Sequence, residues 1–189
     1  MPKRVPTSEA VLRDGAIDEP QQPIVPRSAW GSLLIFTAVF FLLQSGWSAA
    51  RGGWLERLVV HQATVVPAAA LVRLLTPAIP AQAVAASIKA PGGGLNILNG
   101  CEGTEVMFLF AAALAAVRLP WRHRSPALLL GVALIFALNQ ARILTLFYTY
   151  RVDRSLFDAL HTAVLPVLLV AATAAYFHAV LHYSRRRLA

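Results

Sequence analysis

Residues 126–150 read PALLLGVALIFALNQARILTLFYTY, twenty-five residues with a single charge, Arg142. A helix needs roughly 20 apolar residues to cross the ~30 Å hydrocarbon core of a bilayer, and this stretch meets that length. Pro126 suits a first helical turn. Tyr148 and Tyr150 mark an edge at the depth where aromatic rings collect. The same pattern recurs on both sides. Residues 29–50 carry no charge and hold Trp30 and Trp47 near their ends, and residues 103–119 and 156–183 form two more apolar runs. The whole chain of 189 residues is 57% apolar and 14% charged, with a mean hydropathy of +0.60. That balance excludes an ordinary soluble domain and predicts an all-α integral membrane protein, a bundle of about four transmembrane helices.

The stretches between the runs set direction. The basic residues of the N-terminal tail, of 118–124 and of 185–187 each border an apolar run, as cytoplasmic segments do. The net charge of +8 is therefore read as a sign of membrane topology. Without a basic and aromatic reading surface, nucleic acid is not an expected partner; the lipid bilayer is. Residues 1–28, polar and proline-rich, are expected to be a disordered cytoplasmic tail. Residues 29–184 form the membrane domain, and 185–189 a basic cytoplasmic end. A cleaved signal peptide ending at Ser48-Ala49-Ala50 is the competing reading of the first run, and the long tail ahead of it argues against that.

Residues 54–80 are apolar but interrupted by Glu56, Arg57, His61, Pro67 and Arg73. Leu58, Val59, Ala63, Val66, Ala70 and Leu74 recur at helical spacing, which predicts an interfacial amphipathic helix broken near Pro67, with a second true span as the alternative. Residues 81–99 alternate apolar and polar positions around Pro91-Gly92-Gly93-Gly94 and predict a small extracytoplasmic hairpin.

This topology brings three reactive residues to one level. Cys101, in Asn99-Gly100-Cys101-Glu102-Gly103, precedes the 103–119 run on the outer side. Arg142 lies roughly 16 residues into its span, about 24 Å from the inner end at 1.5 Å per residue, near the outer boundary. His161 enters the last span about one turn from its outer end. The thiolate is the nucleophilic form of a cysteine, and a helix N-terminus favours an anion there. Glu102 and Glu105 oppose that effect, unless they face away or orient a partner. An intramembrane Arg usually faces a polar cavity or a partner. Asn139, three residues before Arg142 on one helix face, could join it in donating to an oxyanion. Asp158, three residues before His161, could fix the tautomer of an imidazole acting as general base and acid. The plain readings are a small buried thiol, a snorkelling Arg and a structural His. With one cysteine, neither an internal disulfide nor a thiolate metal cluster is available. His178 and His182 have ligand spacing but no accompanying carboxylate or Cys, so no metal and no cofactor is expected.

Asn99-Gly100-Cys101-Glu102-Gly103, then 138–143 (LNQARI) continuing into 146–148 (LFY), then 157–164 (FDALHTAV), resemble the exosortase/archaeosortase family of membrane cysteine transpeptidases, most closely its exosortase H branch. Leu165-Pro166 departs from the pattern, where an aromatic residue would precede the proline. The resemblance spans about residues 30–183. It implies a Cys nucleophile at Cys101, with Arg142 and His161 completing the site and Asn139, Asp158, Asn99 and Glu102 supporting it. It further implies exported substrates with a C-terminal sorting tail (motif, membrane helix, Arg-rich end), cleaved through a thioester at the periplasmic face of a bacterial inner membrane. The alternatives from other classes are a non-catalytic helix-packing subunit and a thiol redox protein, the latter lacking a resolving Cys.

Overall fold

The computed structural model describes residues 28–97 and 100–188, so the expected tail and Asn99 lie outside the described residues. Helix α1 covers Ala29–Ala50 and begins where the Ser28 hydroxyl accepts the Gly31 N–H at 3.1 Å. Helix α2 covers Trp54–Leu75, followed by strands β1 (Gln82–Val84), β2 (Ser87–Lys89) and β3 (Leu95–Asn96). Helix α3 covers Thr104–Ala116 and α4 Trp121–Val152. Helix α5 runs through Arg154–Ala159, Leu160–Val164 and Leu165–Leu188 without a break, so the basic end at 185–188 prolongs the last helix.

Four of these helices, α1, α2, α4 and α5, are long and apolar enough to cross a membrane. Only 6% of the apolar window of α1 and 11% of that of α5 is buried inside the protein. Helices that present so much apolar surface outward need lipid as their solvent. The set differs from the expected one in a single exchange. Helix α3, with 13 residues, is about 20 Å long and short of a full crossing, whereas α2 has the length. Helix α4 also starts earlier than Pro126: the Pro120 carbonyl accepts the N–H groups of His123 and Arg124, both at 3.0 Å, and the helix winds from Trp121.

Helix α2 is not broken at Pro67. Its backbone widens into a π-helix over Arg57–Val65, and the Val66 N–H reaches back five residues to the His61 carbonyl. Proline has no N–H, and its ring collides with the carbonyl four residues earlier; the wider turn accommodates that collision. The carbonyl so orphaned is that of Ala63. Gln140 of α4, itself buried, supplies the missing donor: its Nε2 lies 3.3 Å from both the Ala63 and Thr64 oxygens. Tyr148 meets Thr76 at 2.8 Å, so the second half of α2 runs obliquely outward beside the last third of α4.

The hairpin is realised as part of a three-stranded antiparallel sheet in the order β1-β2-β3, with Ser87 opposite Asn96 and Ile88 opposite Leu95. The added β1–β2 turn contains Ala85 at φ 50, a left-handed residue that no Gly announces. The His61 ring bonds the Ala85 carbonyl at 2.8 Å, and Arg73 donates to the Ala81 carbonyl at 2.8 Å, so the sheet grips both halves of α2. Open-edged sheet does not sit in hydrocarbon. The sheet therefore caps one end of the bundle, and α2 lies beneath it. Ile88 and Ile97 pack with Val65, Val72, Ile143 and Phe147 in the core under the sheet. A second core around Phe110, Leu114, Ile135 and Leu169 joins α3, α4 and α5. Trp47 meets Phe108 edge-on at 6.5 Å, aligning the end of α1 with the start of α3.

Gln140→Leu removes the donor and leaves the Ala63 carbonyl without that partner. It should destabilise the detergent-solubilised protein by about 1–3 kcal/mol in an equilibrium unfolding measurement. Between α4 and α5, Asp153 caps α5 by accepting the Leu156 N–H (3.2 Å), the Ser155 hydroxyl (2.9 Å) and the Ser155 N–H (2.8 Å), and these bonds hold its carboxyl below the usual carboxylate range. A depressed folded-state value means that the cap is complete above that range and is lost as pH falls through the lowered value. Amide-exchange protection at Ser155 and Leu156 should fall in acid in the native protein and stay level in Asp153→Asn.

Candidate active site

The segment before α3 turns tightly. Gly100 (φ 90) and Gly103 (φ 81) both occupy the left-handed region, and Gly103 is the residue on which α3 starts. A Cβ on Gly103 would stand 3.0 Å from Asn139 Cγ, so the turn is pressed against α4. Across that contact Asn139 Nδ2 donates to the Cys101 carbonyl at 3.1 Å. One turn further along α4, Arg142 directs Nη2 at the Cys101 sulfur, 3.9 Å away. The two prongs come from the i, i+3 spacing on one helix face. Asn139 and Arg142 are buried, at 2% and 8% exposure. Asn139 Oδ1 and Arg142 Nε have no partner among the described residues.

His161 comes from α5, in a second π-helical stretch, Leu160–Val164. The cause is the same as in α2. Pro166 occupies the second position after the π turn, as Pro67 does, and the Leu165 N–H reaches the Leu160 carbonyl five residues back. Cys101, Arg142 and His161 all line one cleft of about 310 Å³, whose other walls include Gly100, Glu105, Val106, Leu109, Pro166, Leu169 and Val170. The cleft is polar around the sulfur and apolar along α3 and α5. A thiol, a buried guanidinium and an imidazole thus face one space, an arrangement compatible with acyl transfer.

The supporting residues are distributed otherwise than expected. Glu102 is buried at 6% exposure and accepts from the Thr104 hydroxyl at 3.2 Å, away from the cleft lining, whereas Glu105 lines it. Asp158 is exposed and makes no hydrogen bond with His161; the His161 Nδ1 is buried without a partner among the described residues. Phe157 lies against the imidazole instead, with ring centroids 5.4 Å apart and planes within 4°. Sequence reasoning missed Phe157 and Thr104. The i, i+4 spacing of Phe157 and His161 on a helix was the available signal. Among the described residues no cluster of His, Cys, Asp and Glu could hold a metal ion.

A model of the transmembrane exosortase family matches residues 33–178. The chain belongs to that family. The matched stretch begins early in α1 and ends within α5, so it includes every cleft residue named above. No curated protein and no solved structure matches the chain. Membership of the exosortase family makes the chain a multi-pass membrane protein and implies a cysteine transpeptidase or protease in general terms.

Gly103 gives a direct way to disturb this exosortase-family site. Gly103→Ala meets both a left-handed backbone, costing about 1–2 kcal/mol, and the side chain of Asn139. The Asn139–Cys101 contact should open, and labelling of Cys101 by a thiol reagent should change while the far-ultraviolet circular dichroism spectrum stays helical.

Proposed function

We propose that the protein cleaves a peptide bond in exported proteins that carry a C-terminal sorting tail, through a thioester on Cys101. The supporting observation is the Arg142 guanidinium aimed at the Cys101 sulfur in a cleft that His161 also lines. His161 takes the thiol proton, and the sulfur attacks the scissile carbonyl carbon. Negative charge moves to the carbonyl oxygen, where Arg142 is the nearest fixed cation. When the tetrahedral intermediate collapses, the C–N bond breaks and His161 returns its proton to the departing amine. The acyl group remains as a thioester. Water or an acceptor amine, deprotonated by His161, then attacks that carbonyl and releases the sulfur.

Asn139 has a second part besides that of oxyanion donor. One N–H of its amide donates to the Cys101 carbonyl and holds the nucleophile's backbone, and the second N–H of the same amide is left for the oxyanion. The apolar walls of the cleft, Val106, Leu109, Leu169 and Val170, suit a membrane-embedded substrate segment lying beside α3 and α5. The basic residues Arg118, Arg122, Arg124, Arg185 and Arg186 belong to the opposite end of the bundle. That supports a plasma-membrane protein whose site faces the periplasm.

Cys101→Ala should fold with the native thermal midpoint and abolish processing of a co-expressed protein bearing a tail of motif, apolar helix and arginine cluster. Arg142→Lys, which keeps the charge but loses the fork, should cut kcat by about tenfold or more. Continued cleavage by Cys101→Ala would overturn the mechanism.

A further inference from the structure

We infer that Phe157 is the positioning residue of His161, taking the part that a carboxylate plays in most imidazole bases. A general base works only when its ring is held in one orientation, and the common device is a hydrogen bond on the ring nitrogen remote from the substrate. Here the Nδ1 of His161 has no partner among the described residues, and Asp158 is exposed and not bonded to it. The ring stacked beside the imidazole is that of Phe157, parallel to it within 4° with centroids 5.4 Å apart.

That stack has a backbone cause. In an α-helix residue i+4 overshoots residue i by about 40°, at 100° per residue. The π turn that Pro166 imposes rotates less per residue. Phe157 is in the α-helical part and His161 in the π-helical part, so the two rings fall nearly above one another.

Phe157 is itself anchored. Tyr150 of α4 packs its ring against it at 5.2 Å and 73°, and the Arg154 guanidinium lies 5.2 Å over the Tyr150 ring. Tyr150 and Arg142 share a helix, so the chain of rings sets the imidazole relative to the guanidinium that faces Cys101.

This inference rests on His161 as the base of the proposed reaction. The test compares Phe157→Leu, Phe157→Met and Phe157→Tyr, each with and without His161→Ala, in the full-length protein in membranes. Two rates are read: alkylation of Cys101 by iodoacetamide, and turnover of a tail-bearing substrate. The thermal midpoint serves as the control for folding. Phe157→Leu and Phe157→Met should lower both rates by about tenfold or more, through kcat with KM kept, and Phe157→Tyr should restore them. In the His161→Ala background none of the three should matter, because the effect passes through the imidazole. Native rates in the Leu and Met variants, with His161→Ala slow, would overturn this inference alone. Equal slowing in both backgrounds would do the same by assigning Phe157 a merely structural role. If His161→Ala leaves both rates unchanged, the base assignment fails and this inference falls with it.

Discussion

A guanidinium has to be buried in this bundle, and the arrangement around it follows from that requirement. Arg142 sits inside the apolar helix α4 at 8% exposure. A charge so placed is tolerated only where the protein lines a polar space for it. Among the described residues no carboxylate pairs with it. Its named neighbour is a sulfur atom held by a tight glycine turn, and the space beside them is the cleft. The glycines at 100 and 103, the Asn139 amide and the start of α3 all serve to bring that turn down onto α4.

Two prolines shape the remainder. Pro67 and Pro166 each follow a π-helical stretch at the same spacing, and each stretch contains a histidine, His61 or His161. In α2 the widened turn exposes carbonyls that Gln140 captures, tying the helix under the sheet to α4. In α5 it rotates His161 into register with Phe157. A proline that would kink an isolated helix is absorbed here as a local gain in diameter, and both helices continue past it.

The apolar runs and the residues of the cleft were legible because they rest on robust signals: run length, the grouping of arginines, and a charge where none is expected. Cys101, Arg142 and His161 could be brought to one level by counting residues alone. Helix α2 was misjudged because Pro67 reads as a breaker, and only the distant Gln140 reveals why it is not one. The extra strand was missed because Ala85 adopts a left-handed turn without glycine. Asp158 looked like a partner of His161 on α-helical spacing, and the π turn changes which neighbour faces the ring. The number of long apolar helices was read correctly, and only the exchange of α2 for the shorter α3 was not: charged residues interrupt α2, and the sheet contacts of His61 and Arg73 that accommodate two of them are distant in sequence.

The side-chain clasp of Arg151 has a mechanical consequence. Its Nη1 donates to the carbonyls of Pro91 (2.8 Å) and Gly93 (3.0 Å), the tip of the β2–β3 turn, while its guanidinium lies 5.6 Å over the Phe147 ring. The sheet is thus bolted to the far end of the same rod that carries the buried cation. Cover and guanidinium thus share one support in α4, whose tilt would carry both, as a lever moves both of its arms.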